Sequence, residues 1–137
     1  TELMTAITTT WVLAAQDPAN LARFYGALLG VEPITGLSSQ HWRIPLPAGD
    51  ELEIYRPSRH RPFPDRGRAL APCLRQSARP DPLEVLQEWV NEAVASGAVV
   101  VEPPRREVFG AECWLNDPEG NAVLLLVPLQ GSSDTPS

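Results

Sequence analysis

Few side chains in this sequence could do chemistry, and Glu53 is the best placed of them. It lies in the stretch DELEIYR, where strand alternation puts Leu52 and Ile54 on one face. Glu51, Glu53 and Tyr55 then share the opposite face. As a general base Glu53 would need burial, whereas as a ligand anchor it would stay ionised and accept hydrogen bonds. The third interpretation is a solvated carboxylate at the edge of a sheet.

A second stretch, CWLNDPEGNAVLLLV, joins two apolar runs through a turn. Asp117, Pro118 and Gly120 have the chemistry of a type I turn. Such a hairpin often holds a carboxylate over a cavity, but the outgoing strand carries none. Its residues on one face are Ala122, Leu124 and Leu126. The hairpin therefore favours a protein that holds a ligand without chemistry at this strand.

The remaining reactive side chains form no catalytic pattern. No Ser/His/Asp or Cys/His arrangement is evident, and there is no phosphate-binding loop. His41 lies in a predicted strand and His60 between the two halves of the chain, and each is interpreted as a surface or rim residue. Cys73 and Cys113 have no CxxC spacing, so we predict two buried free thiols in a reducing cytoplasm.

The tryptophans are candidates for stacking on a planar ligand, which contributes about 0.5–1.5 kcal/mol beyond area burial. Trp11, Trp42 and Trp114 lie in predicted strands, and the alternative role of each is core filling. Trp89 lies in a helix beside its apolar stripe and is predicted to pack in the core. In TTTWVLA, Thr10 and Trp11 fall on opposite faces of the strand.

The charge is unevenly distributed. The net charge is −6, and all 11 basic residues are arginine. Seven of them lie between Arg56 and Arg79, which makes that segment +6 and the remainder −12. The segment could receive an anionic ligand or be a solvated loop. Because no aromatic residues interleave with the arginines and the body is acidic, no nucleic-acid partner is expected.

Two segments have the features of helices. In QDPANLARFYGALLG, Asp17 is a suitable N-cap, Pro18 fits the first position and Gly30 is placed to end the helix. In RPDPLEVLQEWVNEAVASG, Asp81 caps, and Glu84 completes a capping box. Gly97 is placed to end this second helix.

Each helix is preceded by one strand-like run and followed by three. The predicted strands are Ile7–Ala15, Val31–Thr35, Gln40–Leu46, Leu52–Arg56, Ala69–Gln76, Ala98–Glu102, Val108–Leu115 and Ala122–Val127. The repeated order predicts an α+β fold of two βαβββ modules that form a curved, cup-like mixed sheet with helices on its outer face. We expect a single domain over residues 1–137, with modules 6–56 and 69–128, an Arg/Pro linker 57–68 and a disordered tail 129–137.

The sequence resembles the vicinal oxygen chelate superfamily, which includes glyoxalase I, bleomycin-resistance proteins and extradiol dioxygenases. The resemblance covers about residues 6–128. Its specific parts are QDPANLARFYGALLGVEP, similar to the family's first helix, and LNDPEGNAVLLLVP, similar to its Asp-Pro-acid-Gly-Asn signature. It implies the doubled fold, but this fold hosts many activities.

The resemblance also implies where a divalent metal would bind. Enzymes of the family hold it with four side chains, one each on the first and last strands of each half. Those positions fall at Thr10, Glu53, Ala71 or Pro72, and Leu124. Only Glu53 carries a suitable side chain, whereas a catalytic metal site typically needs about three protein ligands. A rearranged site of Glu53, His41 and Glu112 is the alternative.

We therefore expect a binding protein that uses no metal and no cofactor and sequesters a small aromatic or amphipathic molecule in the sheet cavity. The predicted ligand-binding residues are Glu53, Thr10, Trp11, Tyr55, Trp114, Leu124 and His41. The alternatives are a metal-dependent lyase, isomerase or dioxygenase with a degenerate site, and an interaction module without a small ligand. The resemblance implies a homodimer.

The start of the chain predicts a cytoplasmic location. TELMTAITTTW lacks the basic and long apolar regions of a signal peptide. No apolar run approaches the roughly 18 residues of a membrane helix. No membrane partner is therefore expected.

Overall fold

A computed structural model describes residues 8–59, 62 and 71–131 of the 137-residue chain. The chain divides into two compact units, Thr1–Pro64 and Asp65–Ser137, which we call unit 1 and unit 2. The division falls inside the predicted linker. His60 and the last six residues of the predicted tail lie outside the described residues.

Unit 1 has the order βαβββ. Its elements are β1 (Thr10–Ala14), α1 (Pro18–Leu29), β2 (Ile34–Thr35), β3 (His41–Pro45) and β4 (Glu51–Tyr55). The sheet order is β1-β4-β3-β2, in which β1 runs parallel to β4 and the other pairs are antiparallel. The chain between the parallel strands β1 and β4 contains α1, β2 and β3, which provides the long connection that a parallel pair needs.

Unit 2 repeats this order with one additional short strand. Its elements are β5 (Cys73–Arg75), α2 (Pro82–Ala95), β6 (Val99–Val100), β7 (Arg105–Glu107), β8 (Gly110–Asn116) and β9 (Ala122–Pro128). The sheet order is β5-β9-β8-β6, and β7 also pairs with β8. The α+β class with two βαβββ modules is confirmed.

The strand predicted over Val108–Leu115 is wrong at its start. Glu107 pairs with Gly110, so Val108 and Phe109 form a tight turn between β7 and β8. A two-residue connection is the shortest that can join antiparallel strands. The predicted strand therefore combined this turn with the first part of β8.

The two helix starts differ although their sequences are alike. The Asp17 carboxylate accepts a hydrogen bond from the Asn20 N–H at 3.1 Å, and Gly30 ends α1 with φ 69°, as predicted. Asp81 makes no side-chain cap bond, so the capping box predicted with Glu84 does not form. Both aspartates are exposed, so burial does not account for the difference.

This difference predicts unequal effects of the same substitution. We expect Asp17→Ala to lower the free energy of unfolding by about 1 kcal/mol, because an N-cap bond is lost. Asp81→Ala removes the aspartate at the equivalent position, before Pro82. We expect this change to lower the free energy of unfolding by less than half as much. Urea denaturation followed by circular dichroism would measure both. Equal losses would contradict the difference in capping.

Each sheet buries one face against its own helix. In unit 1, the buried sheet residues are Ile44, Leu52 and Ile54, and the buried α1 side chains include Leu21, Phe24, Tyr25 and Leu28. In unit 2, β8 and β9 contribute Ala111, Cys113, Leu115, Val123, Leu125 and Val127, and α2 contributes Leu86, Trp89, Val90 and Ala93. Trp89 is 6% exposed, which confirms its predicted place in the core.

The chain after β9 is ordered for longer than predicted. The Leu129 N–H donates to the Phe109 carbonyl at 2.8 Å, and the Gln130 N–H donates to the Arg79 carbonyl at 2.8 Å. The prediction of a disordered tail is therefore wrong for these two residues, because backbone hydrogen bonds hold them. Among the described residues, no helix is long and apolar enough to cross a membrane.

Candidate functional site

The sheet of unit 1 presents a polar face on the side opposite its buried residues. This open face of unit 1 is defined by Thr10, Val12, Ile34, His41, Arg43, Glu51, Glu53 and Tyr55, which the strand register places side by side. Leu52 and Ile54 are 2% and 0% exposed, which confirms the predicted division of β4. Glu53 lies between Val12 on β1 and Arg43 on β3.

Two side-chain contacts organise this face. His41 Nε2 lies 3.2 Å from Glu53 Oε1, and the two side chains are 17% and 33% exposed. Arg43 donates to Glu51 through Nε at 3.0 Å and through its terminal nitrogen at 2.9 Å. Hydrogen bonding from Arg43 lowers the pKa of Glu51. Of the two carboxylates, Glu51 is therefore bonded to Arg43, whereas Glu53 is bonded to no arginine in the described part of the chain.

Thr10 and Trp11 do not belong to one site. Thr10 pairs with Glu51 on the open face, whereas Trp11 pairs with Leu52 on the face that packs against α1. Side chains that are neighbours in a parallel register point to the same side of the sheet. The register therefore places Trp11 on the face opposite Glu53, and ligand binding by Trp11 stays a prediction. Tyr55 pairs with His41 and lies on the open face.

The sheet of unit 2 presents a more apolar face. Trp114 on β8 pairs with Leu124 on β9, and Leu124 pairs with Cys73 on β5. All three side chains lie opposite the buried face that holds Leu125 and Cys113. We call the Cys73–Leu124–Trp114 row the open face of unit 2. An indole beside a leucine is suited to stacking on an apolar, planar molecule.

The charged part of unit 2 lies on the same face but is already paired. A terminal guanidinium nitrogen of Arg105 donates to Glu112 Oε2 at 3.0 Å. The Nε of the same side chain lies 2.8 Å from Glu107 Oε2. Glu102 is a further partner of Arg105 at 3.9 Å. Glu112, which the rearranged metal site would use, is thus bonded to a cation within its own unit.

The two cysteines differ in exposure, although both were predicted to be buried. Cys113 is 2% exposed, and burial raises its pKa to about 11. Cys73 is exposed because β5 is an edge strand, and partial desolvation on the sheet still raises its pKa. Both cysteines are free thiols. Neither forms a group with other metal-ligating side chains among the described residues.

The residues present do not fit the family's divalent metal. Thr10 offers a hydroxyl and Leu124 a hydrocarbon, and neither Ala71 nor Pro72 carries a side-chain donor. The register partner of Glu53 is Val12, which also offers none. In residues 8–59, 62 and 71–131, no three His, Cys, Asp or Glu side chains are grouped so that they could hold a metal ion. The described donors therefore fall short of the roughly three that a catalytic site needs.

Three contributors to the open faces were not identified from the sequence. They are Arg43, the Leu37 backbone N–H and Cys73. Arg43 could have been found, because the turn before Glu51 fixes an antiparallel register that pairs it with Glu53. The Leu37 contact depends on a loop conformation that no sequence pattern indicates. The anion site considered for Arg56–Arg79 includes arginines outside the described residues.

Comparison with known proteins gives the family. A glyoxalase-like domain model matches residues 10–126. No curated protein sequence matches the chain.

Solved structures give the same fold. A glyoxalase/bleomycin resistance protein/dioxygenase family enzyme from Burkholderia phytofirmans PsJN has a TM-score of 0.72 at 16% identity, over 88% of this chain and 98% of that chain. A glyoxalase/bleomycin resistance protein from Albidiferax ferrireducens T118 has a TM-score of 0.69 at 20% identity, over 89% of this chain and 98% of that chain. A hypothetical protein from S. aureus has a TM-score of 0.71 at 17% identity, over 92% of this chain and 95% of that chain. Because the family model spans most of the sequence, the chain belongs to the glyoxalase-like domain family of the vicinal oxygen chelate superfamily.

Proposed function

We propose that this protein binds a small aromatic or amphipathic molecule without the help of a metal ion. The observation that carries the proposal is the composition of the open faces. At the four positions where family enzymes hold a metal, this chain has one carboxylate and no second ligand. The carboxylate is Glu53, and the His41 imidazole lies 3.2 Å from one of its oxygens.

The polar anchor in this proposal is Glu53. Its side chain is 33% exposed, so a ligand can reach it, and it keeps a hydrogen-bonding partner when no ligand is bound. Tyr55 and Thr10 lie on the same face and add an aromatic ring and a hydroxyl. Ligand sites commonly combine a few such polar groups with a larger apolar surface.

Unit 2 offers a separate candidate surface of its own, which is apolar and is formed by Trp114 and Leu124. They are a cross-strand pair on the open face of unit 2, and both are partly exposed. An aromatic ligand stacked on the indole would gain about 0.5–1.5 kcal/mol beyond the area it buries. Leu124 occupies the position where a related enzyme would place a metal ligand, so this surface favours hydrocarbon over an ion.

The test begins with metal analysis of the purified protein. A thermal-shift screen of aromatic antibiotics, metabolites and the divalent ions Zn²⁺, Ni²⁺, Mn²⁺ and Fe²⁺ follows. We expect no stoichiometric metal and stabilisation by at least one aromatic compound. A bound metal close to one per chain, or a large shift with a divalent ion alone, would overturn the metal-independent proposal.

Glu53→Gln then tests the anchor. The substitution keeps the size of the side chain but removes its charge, so we expect binding of the best organic compound from the screen to weaken about tenfold. Glu51→Gln is the matched control, because that carboxylate is already bonded to Arg43, and it should have a smaller effect on binding. Unchanged affinity in Glu53→Gln would remove Glu53 from the site.

A second candidate is a metal-dependent lyase, isomerase or dioxygenase of the same superfamily with a degenerate site. One observation favours it: an imidazole nitrogen and a carboxylate oxygen lie 3.2 Å apart on the open face. Both groups are common metal ligands. The divalent ions in the thermal-shift screen separate the two candidates, because a large shift with an ion alone would favour the metal-dependent enzyme.

We propose that the protein is a homodimer, as the resemblance to the superfamily implies, and that it is cytoplasmic. Closed twofold dimers are the commonest homo-oligomers in general. A dimer of this 15.0 kDa chain has a mass of about 30 kDa. Light scattering at micromolar concentration measures this mass. A value near that of one chain would contradict the assembly.

A further inference from the structure

His41 is held on both sides of its ring, and this fixes which nitrogen carries the proton. The Leu37 backbone N–H donates to His41 Nδ1 at 2.8 Å. Because an amide N–H can only donate, Nδ1 must be unprotonated. The neutral ring then carries its proton on Nε2 and donates it to Glu53 Oε1 at 3.2 Å. Turning the ring over would place C–H groups against both partners, so the contacts also select its orientation.

The loop of residues 36–40 is shaped around this ring. A Cβ on Gly36 would collide with the His41 imidazole, so glycine is required here for space. The Gly36 N–H donates to the His41 carbonyl at 2.7 Å, and the His41 N–H donates to the Ser38 carbonyl at 3.1 Å. Loop and ring are therefore linked through the backbone as well as through Nδ1. A change in the loop would move the imidazole that contacts Glu53.

The same arrangement decides what Glu53 can offer a ligand. One oxygen, Oε1, accepts from His41. Arg43 is the register neighbour of Glu53, but it donates through two nitrogens to Glu51. The negative charge of Glu53 is therefore not matched by a bonded arginine. The second carboxylate oxygen is the one suited to a donor group of a ligand.

We propose that His41 is a positioning residue, held by the 36–40 loop in its Nε2-protonated form, that orients Glu53 so its second oxygen binds a positively charged N–H group. Amidinium and ammonium groups have this chemistry, and Tyr55 beside His41 adds a ring on which a cation can rest. This inference rests on the proposed function, in which Glu53 anchors the ligand. It adds that the ligand is positively charged and that the 36–40 loop holds His41 in place.

The first experiment needs no ligand. Nitrogen-15 NMR of protein labelled at histidine reports the protonation of each ring nitrogen, and a His60 variant assigns the two signals. We expect the neutral ring of His41 to carry its proton on Nε2 and none on Nδ1. A neutral ring protonated on Nδ1 would overturn the proposal.

The second experiment uses benzamidinium and benzoate, two aromatic ions of similar shape and opposite charge. Each is titrated into the full-length protein and followed by NMR shifts of the Glu53 and Tyr55 amides. We expect benzamidinium to bind more tightly than benzoate. Equal binding, tighter binding of benzoate, or binding of neither would overturn the preference for a cation.

Variants of His41 separate its two contacts. His41→Asn keeps an acceptor near Leu37 but is too short to reach Glu53, and we expect benzamidinium affinity to fall about tenfold. His41→Gln places an amide N–H near the position of Nε2 and should restore most of the affinity. Gly36→Ala should weaken binding although His41 is retained.

Thermal unfolding of every variant shows whether it is folded. Wild-type affinity in folded His41→Asn would overturn the positioning role, as would failure of folded His41→Gln to recover affinity. The proposed function fails separately, when no organic compound in the thermal-shift screen binds, and that result leaves the protonation of His41 unchanged.

Discussion

Leu125→Ala is expected to lower the free energy of unfolding by about 3–4 kcal/mol, the largest effect of a single substitution considered for this protein. Leu125 is 0% exposed and lies on the face of β9 that packs against α2. Its register neighbours are Cys113 and Leu74. Removing the side chain leaves a cavity between sheet and helix that close packing prevents from collapsing fully. Urea unfolding followed by tryptophan fluorescence and circular dichroism measures the loss.

Leu124→Ala is the matched control, because it makes the same change one residue earlier in the chain. Leu124 lies on the open face and is only partly buried, so we expect a loss of about 1 kcal/mol or less. A shift of one residue in the register of β9 would exchange the two faces and reverse the order of the effects. Similar losses in the two variants would contradict the assigned faces. Leu124→Ala also tests ligand binding with little change in stability.

Asp117→Asn is expected to lower the free energy of unfolding by about 2–3 kcal/mol, because buried hydrogen bonds to a charged group are replaced by poorer ones. Asp117 is 2% exposed and accepts from the Glu119 N–H at 2.8 Å and from the Asn121 N–H at 2.9 Å. Its second oxygen accepts from Asn121 Nδ2 at 2.8 Å. An asparagine would turn an NH₂ group towards one of these donors. The same unfolding measurement applies.

Asp50→Asn is the control for this prediction, since Asp50 lies in the corresponding hairpin of unit 1. Its carboxylate accepts from the Thr9 N–H at 3.0 Å, in an exposed setting. We expect a loss of about 1 kcal/mol or less, because solvent can replace an exposed partner. A loss as large as that of Asp117→Asn would show that burial of the turn aspartate is not the cause.

The helices were predictable because their signals are local. Pro18 and Pro82 begin the two helices, and the left-handed glycine at position 30 ends the first, as the sequence indicates. Proline at the first helical position and glycine after the last one act through their own backbone angles. The missing cap at Asp81 was not predictable, since it depends on the orientation of one exposed side chain.

The candidate site was predictable only in part. Alternation along β4 correctly placed Glu53 and Tyr55 on one face. It could not decide which face of β1 lies on the same side, because that depends on the register between two strands distant in sequence. The register puts Thr10 on the open face and Trp11 on the buried one. The contact between His41 and Glu53 also depends on the 36–40 loop, because the Leu37 N–H in that loop bonds to the His41 ring.

The doubled order of elements, the apolar faces of the helices and the lack of a ligand-type side chain at Leu124 can all be read from residue types and their order. These properties depend on residue type and on spacing within about ten residues. Three contacts depend instead on the folded chain: the Leu37 N–H donates to His41 Nδ1, Arg43 bonds to Glu51, and His41 contacts Glu53. These contacts join residues through loop shape and strand register, and a hydrogen bond forms only when its two atoms are brought within about 3 Å.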